Sequence, residues 1–225
     1  MSKFINFISE GINDVGIFKA IFMAGQPLSG KSYTISKISS GNIGTRIVNT
    51  DTWINRFDKE KAKYLTKSQL VLYLNSMLPL FIDSTSTNPS NIVKRKGLLN
   101  SIGYDTGMIF INADLETSIK RIEQRERKVP IEYIIKAHNN IEKLKPFYKN
   151  EFAFYIEIDN NDGELTNDVI IKSFKSVSKF FTLPLNNPIG IETIDKMLKN
   201  KWKYLNNGIH DIQYLNRLVD IWYNK

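Results

Sequence analysis

A single loop motif constrains this 225-residue chain more than any other feature of its sequence. Residues 25–32 read Gly-Gln-Pro-Leu-Ser-Gly-Lys-Ser, a complete G-x-x-x-x-G-K-[ST] phosphate-binding loop, or P-loop. A mostly apolar run of strand length, residues 17–24, precedes the loop, and a segment with helical spacing, residues 32–40, follows it. Strand, loop and helix therefore occur in the order that the motif requires.

Each part of the motif has a physical reason. Gly25 and Gly30 allow the backbone to curl, so that successive N–H groups face a phosphate. Lys31 can reach the β and γ phosphates of a nucleotide, and the Ser32 hydroxyl can bind Mg²⁺. We therefore expect the nucleotide to be contacted by Gly25, Gln26, Ser29, Gly30, Lys31, Ser32 and Tyr33.

The rest of the chain alternates strand-like apolar runs with segments of helical spacing. Five strands are predicted, at residues 17–24, 46–49, 80–83, 108–111 and 152–158. The helices predicted after the first one are residues 68–77, 91–102, 115–128, 130–148 and 167–181. Such alternation is typical of parallel βαβ units. We therefore expect an α/β fold, with a five-stranded parallel sheet flanked by helices.

The pattern changes near residue 183. Residues 183–188, Leu-Pro-Leu-Asn-Asn-Pro, are typical of a linker, and two further helices are predicted at residues 191–205 and 209–223. We expect residues 1–182 to form the core, with a lid at about residues 115–130. Residues 183–225 would then form a C-terminal helical extension that packs back onto this core.

Two aspartates follow predicted strands. Because ligands of parallel sheets bind at the carboxyl ends of the strands, Asp51 and Asp83 are expected beside the P-loop. Asp83 could hold Mg²⁺ as a Walker-B acid, or it could be a simple turn carboxylate. Asp51 could remove the proton of an acceptor hydroxyl and aim it at the γ-phosphate, or it could cap a helix that begins at Thr52.

Arg121 and Arg125 lie four residues apart on one predicted helix and therefore share a face. This helix follows the fourth strand, where a lid that closes over phosphates would lie. Its arginines would then neutralise charge that develops in the transition state. Lys120 and Glu123 on the same helix support the alternative, a solvated face with salt bridges.

Composition excludes several classes of site. The chain has no cysteine and only two histidines, which rules out disulfides, thiol nucleophiles and Cys-based zinc sites and disfavours a His-rich metal site. No apolar run approaches the ~18 residues of a membrane span, and residues 1–16 lack the apolar core of a signal peptide. We expect a soluble, cytoplasmic protein with no membrane partner.

The net charge of +8, with a pI of about 9.4, has two explanations. It favours a polyanionic partner such as DNA or RNA, or it reflects the Lys, Asn and Ile bias of an AT-rich genome. The basic residues that could contact a nucleic-acid backbone are Lys94, Arg95, Lys96, Lys136, Lys143 and Lys145.

Taken together, these motifs resemble the P-loop kinases of the zeta-toxin and polynucleotide-kinase group, and especially a kinase-like branch found in tailed bacteriophages. The matching segments are residues 18–25, 29–32, 48–51, 82–85, 99–106 and 121–130. Leu28 stands where the family usually has glycine, and Ile122 stands where the phage branch usually has asparagine. Residues 183–225 are matched weakly or not at all.

The resemblance implies ATP and Mg²⁺ as cosubstrates and a hydroxyl as acceptor, in the cytoplasm of a host cell if the protein is phage-encoded. It implies Lys31 and Ser32 on nucleotide and metal, Asp51 as the base, and Arg121 and Arg125 as lid residues. The acceptor could be a polynucleotide end, a hydroxymethylated base in phage DNA, a nucleotide, or a sugar nucleotide such as a UDP-sugar. We expect nucleic acid or a nucleotide, and the oligomeric state stays open.

Two other classes of protein share the motif. A P-loop ATPase or GTPase is one, but the chain has no Asn-Lys-x-Asp guanine-binding motif, and an ATPase of this length would need oligomer partners. A binding module that has lost its chemistry is the other, and the intact Lys31, Ser32, Asp51 and Asp83 argue against it.

Overall fold

A computed structural model of the chain describes residues 15–39, 45–54, 56–84, 86–123, 130–161, 165–200 and 210–224. Its strands are β1 (Lys19–Gly25), β2 (Arg46–Val48), β3 (Leu80–Ile82), β4 (Asp105–Asn112) and β5 (Phe154–Asp159). They form one sheet in the order β2-β3-β1-β4-β5, and every neighbouring pair is parallel. The predicted α/β fold with a five-stranded parallel sheet flanked by helices is confirmed.

Helices cover both faces of this sheet. Those in the described residues are α1 (Lys31–Ser39), α2 (Asp51–Ile54), α3 (Lys59–Asn75), α4 (Pro89–Asn100), α5 (Leu115–Glu123), α6 (Ile131–Glu151), α7 (Asn167–Thr182), α8 (Pro188–Lys199) and α9 (Ile212–Tyr223). The predicted helix 115–128 is described only as far as Glu123, because residues 124–129 lie outside the described residues.

Helix α3 begins well before the predicted start at residue 68. Its cap is Asp58, whose side chain accepts a hydrogen bond from the backbone N–H of Lys61. The helix starts with the charged residues Lys59–Lys61, so apolar spacing gives no signal for its start, whereas the cap satisfies N–H groups that a helix start leaves without partners.

The sheet is buried on both faces, which explains why β1 is apolar almost throughout. All seven residues of β1 are buried, and alternate side chains enter opposite layers. Ala20 and Phe22 pack in a cluster with α3, α4, α6 and α9, whereas Ile21 and Met23 pack in a second cluster with α1 and α7. β1 is therefore the centre of the core.

The order of the strands also determines where a ligand can bind. The chain passes from β1 through α1 to β2, and it later crosses from β3 over β1 to β4 on the other side. A reversal of this kind opens a crevice at the carboxyl end of the central strand. The P-loop occupies this crevice, because it joins the end of β1 to the start of α1.

The two helices that end the chain contact the core. α8 begins at Pro188, where the Asn187 side chain accepts hydrogen bonds from two backbone N–H groups, so Pro188 belongs to the helix rather than to the linker. In α9, Leu215, Leu218 and Trp222 are buried in the cluster that contains Phe22. The rings of Trp222 and Phe22 stack at 6.1 Å. The predicted helices 191–205 and 209–223 are thus shifted, and residues 201–209 lie outside the described residues.

Three of the cations that were expected to contact nucleic acid form contacts within the protein instead. Lys94 donates to a backbone carbonyl just after α9 at 2.7 Å, and Lys96 donates to the Glu151 carboxylate at 2.7 Å. The Arg95 guanidinium lies 5.2 Å from the Trp222 ring centroid and donates to the Trp222 carbonyl. These contacts correct the expectation, because they hold α9 and the end of α6 rather than presenting a free basic face.

Among the helices of the described residues, none combines the length and the hydropathy that crossing a bilayer requires.

Replacing Trp222 by alanine should destabilise the protein by about 3–5 kcal/mol, because it leaves a cavity beside β1. Tyr214 on the same helix is 40% exposed, and its replacement by alanine should cost about 0.5 kcal/mol or less. Urea denaturation measures both. Equal stability of the two variants would contradict the inclusion of α9 in the core.

Candidate active site

The P-loop turns sharply at its two glycines. Gly25 has φ of 145° and Gly30 has φ of 86°, both in the region that glycine adopts most easily. A Cβ at Gly25 would lie 2.5 Å from the carbonyl oxygen of Ile111, and a Cβ at Gly30 would collide with the side-chain amide of Asn160. Both glycines of the motif are therefore required by space as well as by conformation.

Leu28 adopts a left-handed backbone conformation, with φ of 67°. A left-handed conformation costs a non-glycine residue about 1–2 kcal/mol. The Leu28 side chain is buried against Ile122 of α5 and Ile134 of α6, and burial of a leucine contributes about 1.5–3 kcal/mol. Packing thus offsets the strain and joins the loop to the predicted lid.

The Lys31 side chain folds back into the loop that precedes it. Its Nζ donates to the carbonyl oxygens of Gly25 at 2.9 Å and Gln26 at 2.7 Å. The residue is only 9% exposed. The ammonium group therefore lies inside the curve of the loop, where the motif requires a positive charge.

The other loop residues differ in how they face the site. The Gln26 side chain is fully buried and donates to the carbonyl of Ala113, with His138 Nδ1 at 3.2 Å, so only the backbone of Gln26 faces the loop interior. Ser29 is buried and its N–H donates to the Gln26 carbonyl. Tyr33 lies exposed at the rim, where its ring contacts the Lys37 ammonium.

A chain of hydrogen bonds joins the loop to the Asp83 carboxylate and to the backbone of Asp51. The Ser32 hydroxyl donates to Asp83 Oδ2 at 2.9 Å, and the Asn49 amide donates to the same oxygen at 2.7 Å. Asn49 Oδ1 accepts from the backbone N–H of Asp51 at 2.7 Å. Parallel pairing of β2 and β3 brings these residues together, since the Asp83 N–H donates to the Val48 carbonyl.

The environment of Asp83 suits a divalent cation. Burial raises the pKa of the Asp83 carboxyl above its usual value. The Ser32 hydrogen bond and the Lys31 charge partly offset this rise, and the nearby Asp51 charge adds to it. Hydroxyl and carboxylate oxygens are ligands that Mg²⁺ prefers, and a cation would offset the cost of a buried carboxylate. Ser32 and Asp83 therefore fit the predicted metal role.

These residues surround one cavity of about 260 Å³. It is lined by Pro27, Leu28, Gly30, Lys31, Ser32, Tyr33, Asn49, Asp51, Asp83 and Ser84. Both candidate carboxylates, the loop lysine and the loop serine thus face one space at the carboxyl edge of the sheet.

A larger cavity, of about 490 Å³, lies at the opposite edge of the sheet. Its charged groups are paired with one another: Lys19 bonds Asp105 at 2.8 Å, and Lys96 bonds Glu151 at 2.7 Å. Because these pairs already satisfy their charges, size alone does not identify the functional cavity.

Arg121 of α5 holds the outer side of the loop. Its guanidinium donates to the carbonyl oxygens of Leu28 at 3.0 Å and Asn160 at 2.8 Å. Burial lowers its pKa from the usual value, but an arginine stays charged at any physiological pH. Arg125, the second predicted lid arginine, lies outside the described residues.

Sequence reasoning missed two asparagines of this site. Asn49 connects Asp83 to Asp51, and the Asn160 amide donates to the Ser29 carbonyl at 2.7 Å. Each directly follows a strand, at the edge where ligands bind, and this position was the only available signal.

No family model matches the chain. Solved structures with a similar fold include a protein of Chloroflexus aurantiacus, with a TM-score of 0.52 and 14% identity over 73% of this chain and 98% of that one. A gluconokinase of Sinorhizobium meliloti has a TM-score of 0.50 and 13% identity over 73% and 94% of the two chains. A chain of the Pnkp1/Rnl/Hen1 RNA repair complex has a TM-score of 0.50 and 18% identity over 63% of this chain.

This protein spans about half (48%) of the matched RNA repair chain. At these identities the likeness shows a shared fold.

Substitutions at Leu28 should reveal the strain at that position. Leu28→Ala and Leu28→Gly both lose the buried side chain, but only glycine relieves the positive φ. The glycine variant should therefore be the more stable of the two by about 1 kcal/mol in urea denaturation.

The matched control is the same pair of substitutions at Leu72, an exposed position inside α3. Alanine should be favoured there by about 1 kcal/mol, the ordinary order in a helix. If Leu28→Ala is as stable as Leu28→Gly, the positive φ at position 28 does not strain the backbone.

Proposed function

We propose that this protein is an ATP-dependent kinase that transfers the γ-phosphate of ATP to a hydroxyl acceptor. The observation that carries the proposal is the hydrogen-bonded chain from Ser32 through Asp83 and Asn49 to Asp51. It joins a P-loop, a half-buried carboxylate suited to a metal and the backbone of Asp51, whose exposed carboxylate lines the same cavity. These are the parts that phosphoryl transfer needs for binding, charge neutralisation and deprotonation.

The loop and Lys31 would bind the phosphates. The loop leads directly into the N-terminus of α1, where backbone N–H groups and the helix dipole favour an anion. Phosphate oxygens would replace the Gly25 and Gln26 carbonyls as partners of the Lys31 ammonium. Such an exchange keeps the lysine inside the loop and needs no large movement.

Ser32 and Asp83 would hold Mg²⁺. When bound, this ion neutralises charge on the phosphate oxygens. Asp83 is prepared for this role by its burial and by the two donors that fix Oδ2.

Asp51 would act as the general base. The acceptor oxygen attacks the γ-phosphorus, its proton passes to the Asp51 carboxylate, and the bond from the γ-phosphorus to the bridging oxygen of ADP breaks. The Asn49 side chain accepts from the Asp51 N–H in the turn before α2, and Asp51 is the first residue of this helix rather than its cap. Asp51 is exposed at the cavity, as a base must be to meet an acceptor.

Arg121 and Arg125 are proposed as the lid residues that neutralise transition-state charge. Arg121 bonds the Leu28 carbonyl on the outer side of the loop, so it would exchange this partner for a phosphate oxygen when it takes this role.

The proposed acceptor is nucleic acid or a nucleotide. The net charge of +8 supports it, although Lys94, Arg95 and Lys96 no longer do. Of the other three candidate cations, Lys145 bonds Glu142 at 3.0 Å, whereas Lys136 and Lys143 are exposed on α6 and suit a polyanion. One structural neighbour belongs to an RNA repair complex. The alternatives are a zeta-toxin-like UDP-sugar kinase and a P-loop ATPase without a small-molecule acceptor.

A transfer assay with γ-labelled ATP tests the proposal. The acceptors are 5′-hydroxyl DNA and RNA, hydroxymethyluracil DNA, nucleosides, nucleotides and UDP-sugars, and label should appear on a nucleic acid or a nucleotide. Lys31→Ala should abolish transfer because it removes the charge that faces the β and γ phosphates. Lys172→Ala, at an exposed position of α7, is the matched control and should leave transfer unchanged.

Each other outcome of this assay has a definite meaning. Label that appears only on a UDP-sugar supports the sugar-kinase alternative, and label released only as free phosphate supports the ATPase. Undiminished transfer by Lys31→Ala contradicts a kinase that uses this loop.

Asp51→Asn should lower kcat by about 10²–10⁴, the usual contribution of a general base, with little change in the KM for ATP. Asp58→Asn provides a control at the cap of α3, where it should affect stability rather than chemistry. If Asp51→Asn instead weakens ATP binding while transfer per bound ATP persists, Asp51 is a nucleotide ligand and not the base.

A further inference from the structure

Asn160 connects three parts of the site from the end of β5. Its backbone N–H donates to the Asn112 carbonyl at the end of β4, and its own carbonyl accepts from Arg121 of α5. Its side-chain amide donates to the Ser29 carbonyl in the P-loop at 2.7 Å. The residue is 4% exposed, so its side chain is held in this position by packing on all sides.

The bond to Ser29 determines which way the loop amides point. In a trans peptide the C=O and the following N–H point in opposite directions. Arg121 holds the Leu28 carbonyl, and Asn160 holds the Ser29 carbonyl, on the outer side of the loop. The Gly30 N–H, which is opposite the Ser29 carbonyl, therefore faces the inner side, where Lys31 lies and where a phosphate would bind, whereas the Ser29 N–H donates to the Gln26 carbonyl.

The second glycine of the motif fits against the same side chain. A Cβ at Gly30 would collide with the Asn160 amide nitrogen, so the two residues pack at a distance that only glycine allows. Gly30 and Asn160 are therefore complementary in shape.

One atom of Asn160 lowers the stability of the protein, so a stabilising role alone does not explain why an asparagine stands here. Its Oδ1 is buried and has no hydrogen-bond partner among the described residues. An unpaired buried oxygen is unfavourable, and an apolar side chain would avoid it. What only a side-chain amide supplies here is the N–H donated to Ser29.

We propose that Asn160 is a positioning residue for the P-loop, which holds the loop amides toward a nucleotide phosphate before the nucleotide arrives. The inference rests on the proposed function for its consequence, which is tighter ATP binding. Its structural part, a loop fixed in advance, does not depend on any reaction.

The experiment compares Asn160→Ala and Asn160→Asp with wild type. The aspartate keeps the shape of the side chain but cannot donate to the Ser29 carbonyl when ionised. The matched control is Asn161→Asp, which adds the same charge one residue away. Asn161 accepts from the Asp114 N–H near α5 and does not contact the loop in the described structure.

Two measurements are made on the full chain. Hydrogen exchange of the nucleotide-free protein should show about tenfold faster exchange for loop peptides of both Asn160 variants, with β1 peptides unchanged. The KM and Kd for ATP should rise about tenfold, the effect of losing one well-placed hydrogen bond, while kcat at saturating ATP stays within about twofold. Asn161→Asp should change neither measurement.

The outcomes are distinguishable. Unchanged loop exchange and unchanged ATP affinity in both Asn160 variants would overturn the inference, and so would a loss of kcat at constant KM. If Asn160→Ala also speeds the hydrogen exchange of β1 peptides, that variant has disturbed the fold. The results for Asn160→Asp then decide whether the inference holds. If wild type binds no ATP, the proposed function fails, whereas the loop-exchange result still decides whether Asn160 fixes the loop.

Discussion

The parallel pairing of β1 between β3 and β4 is the interaction on which the rest of the structure depends. It buries every residue of β1, and it carries the P-loop into the crevice where the strand order reverses. The same pairing brings the end of β3, with Asp83, beside Ser32 of the loop. Both layers of helices pack against this strand, so core stability and the geometry of the site have one origin.

Sequence periodicity was sufficient for the fold because a parallel sheet covered on both faces requires continuous apolar strands separated by helices. It failed where structure depends on polar groups. The start of α3 is determined by the Asp58 cap, which leaves no apolar signal. Charge was misleading for a related reason: Lys94, Arg95 and Lys96 look like a basic patch in the sequence, but each contacts a partner far along the chain.

The residues of the site also divide into those that the sequence predicted and those that it did not. The motif alone identified the loop, and strand ends identified Asp51 and Asp83, which line one cavity as expected. Asn49 and Asn160 were missed because their roles are hydrogen bonds between residues distant in sequence, and asparagine has no motif that predicts them. The resemblance noted in the sequence pointed to an unusual backbone at Leu28, whereas the apolar cluster that compensates for its positive φ could not be inferred.

Under the proposed function, the apolar cluster of Leu28, Ile122 and Ile134 would couple the binding of the two substrates. Leu28 belongs to the loop, Ile122 to α5 and Ile134 to α6, so a shift of α5 relative to the loop must disturb all three side chains. Binding free energies at two linked sites are reciprocal. If nucleotide at the loop changes the affinity for an acceptor held under α5, the acceptor changes the affinity for nucleotide by the same factor. Substrate synergism in such an enzyme would then be adjusted by the size of three apolar side chains, without any change to a group that touches phosphate.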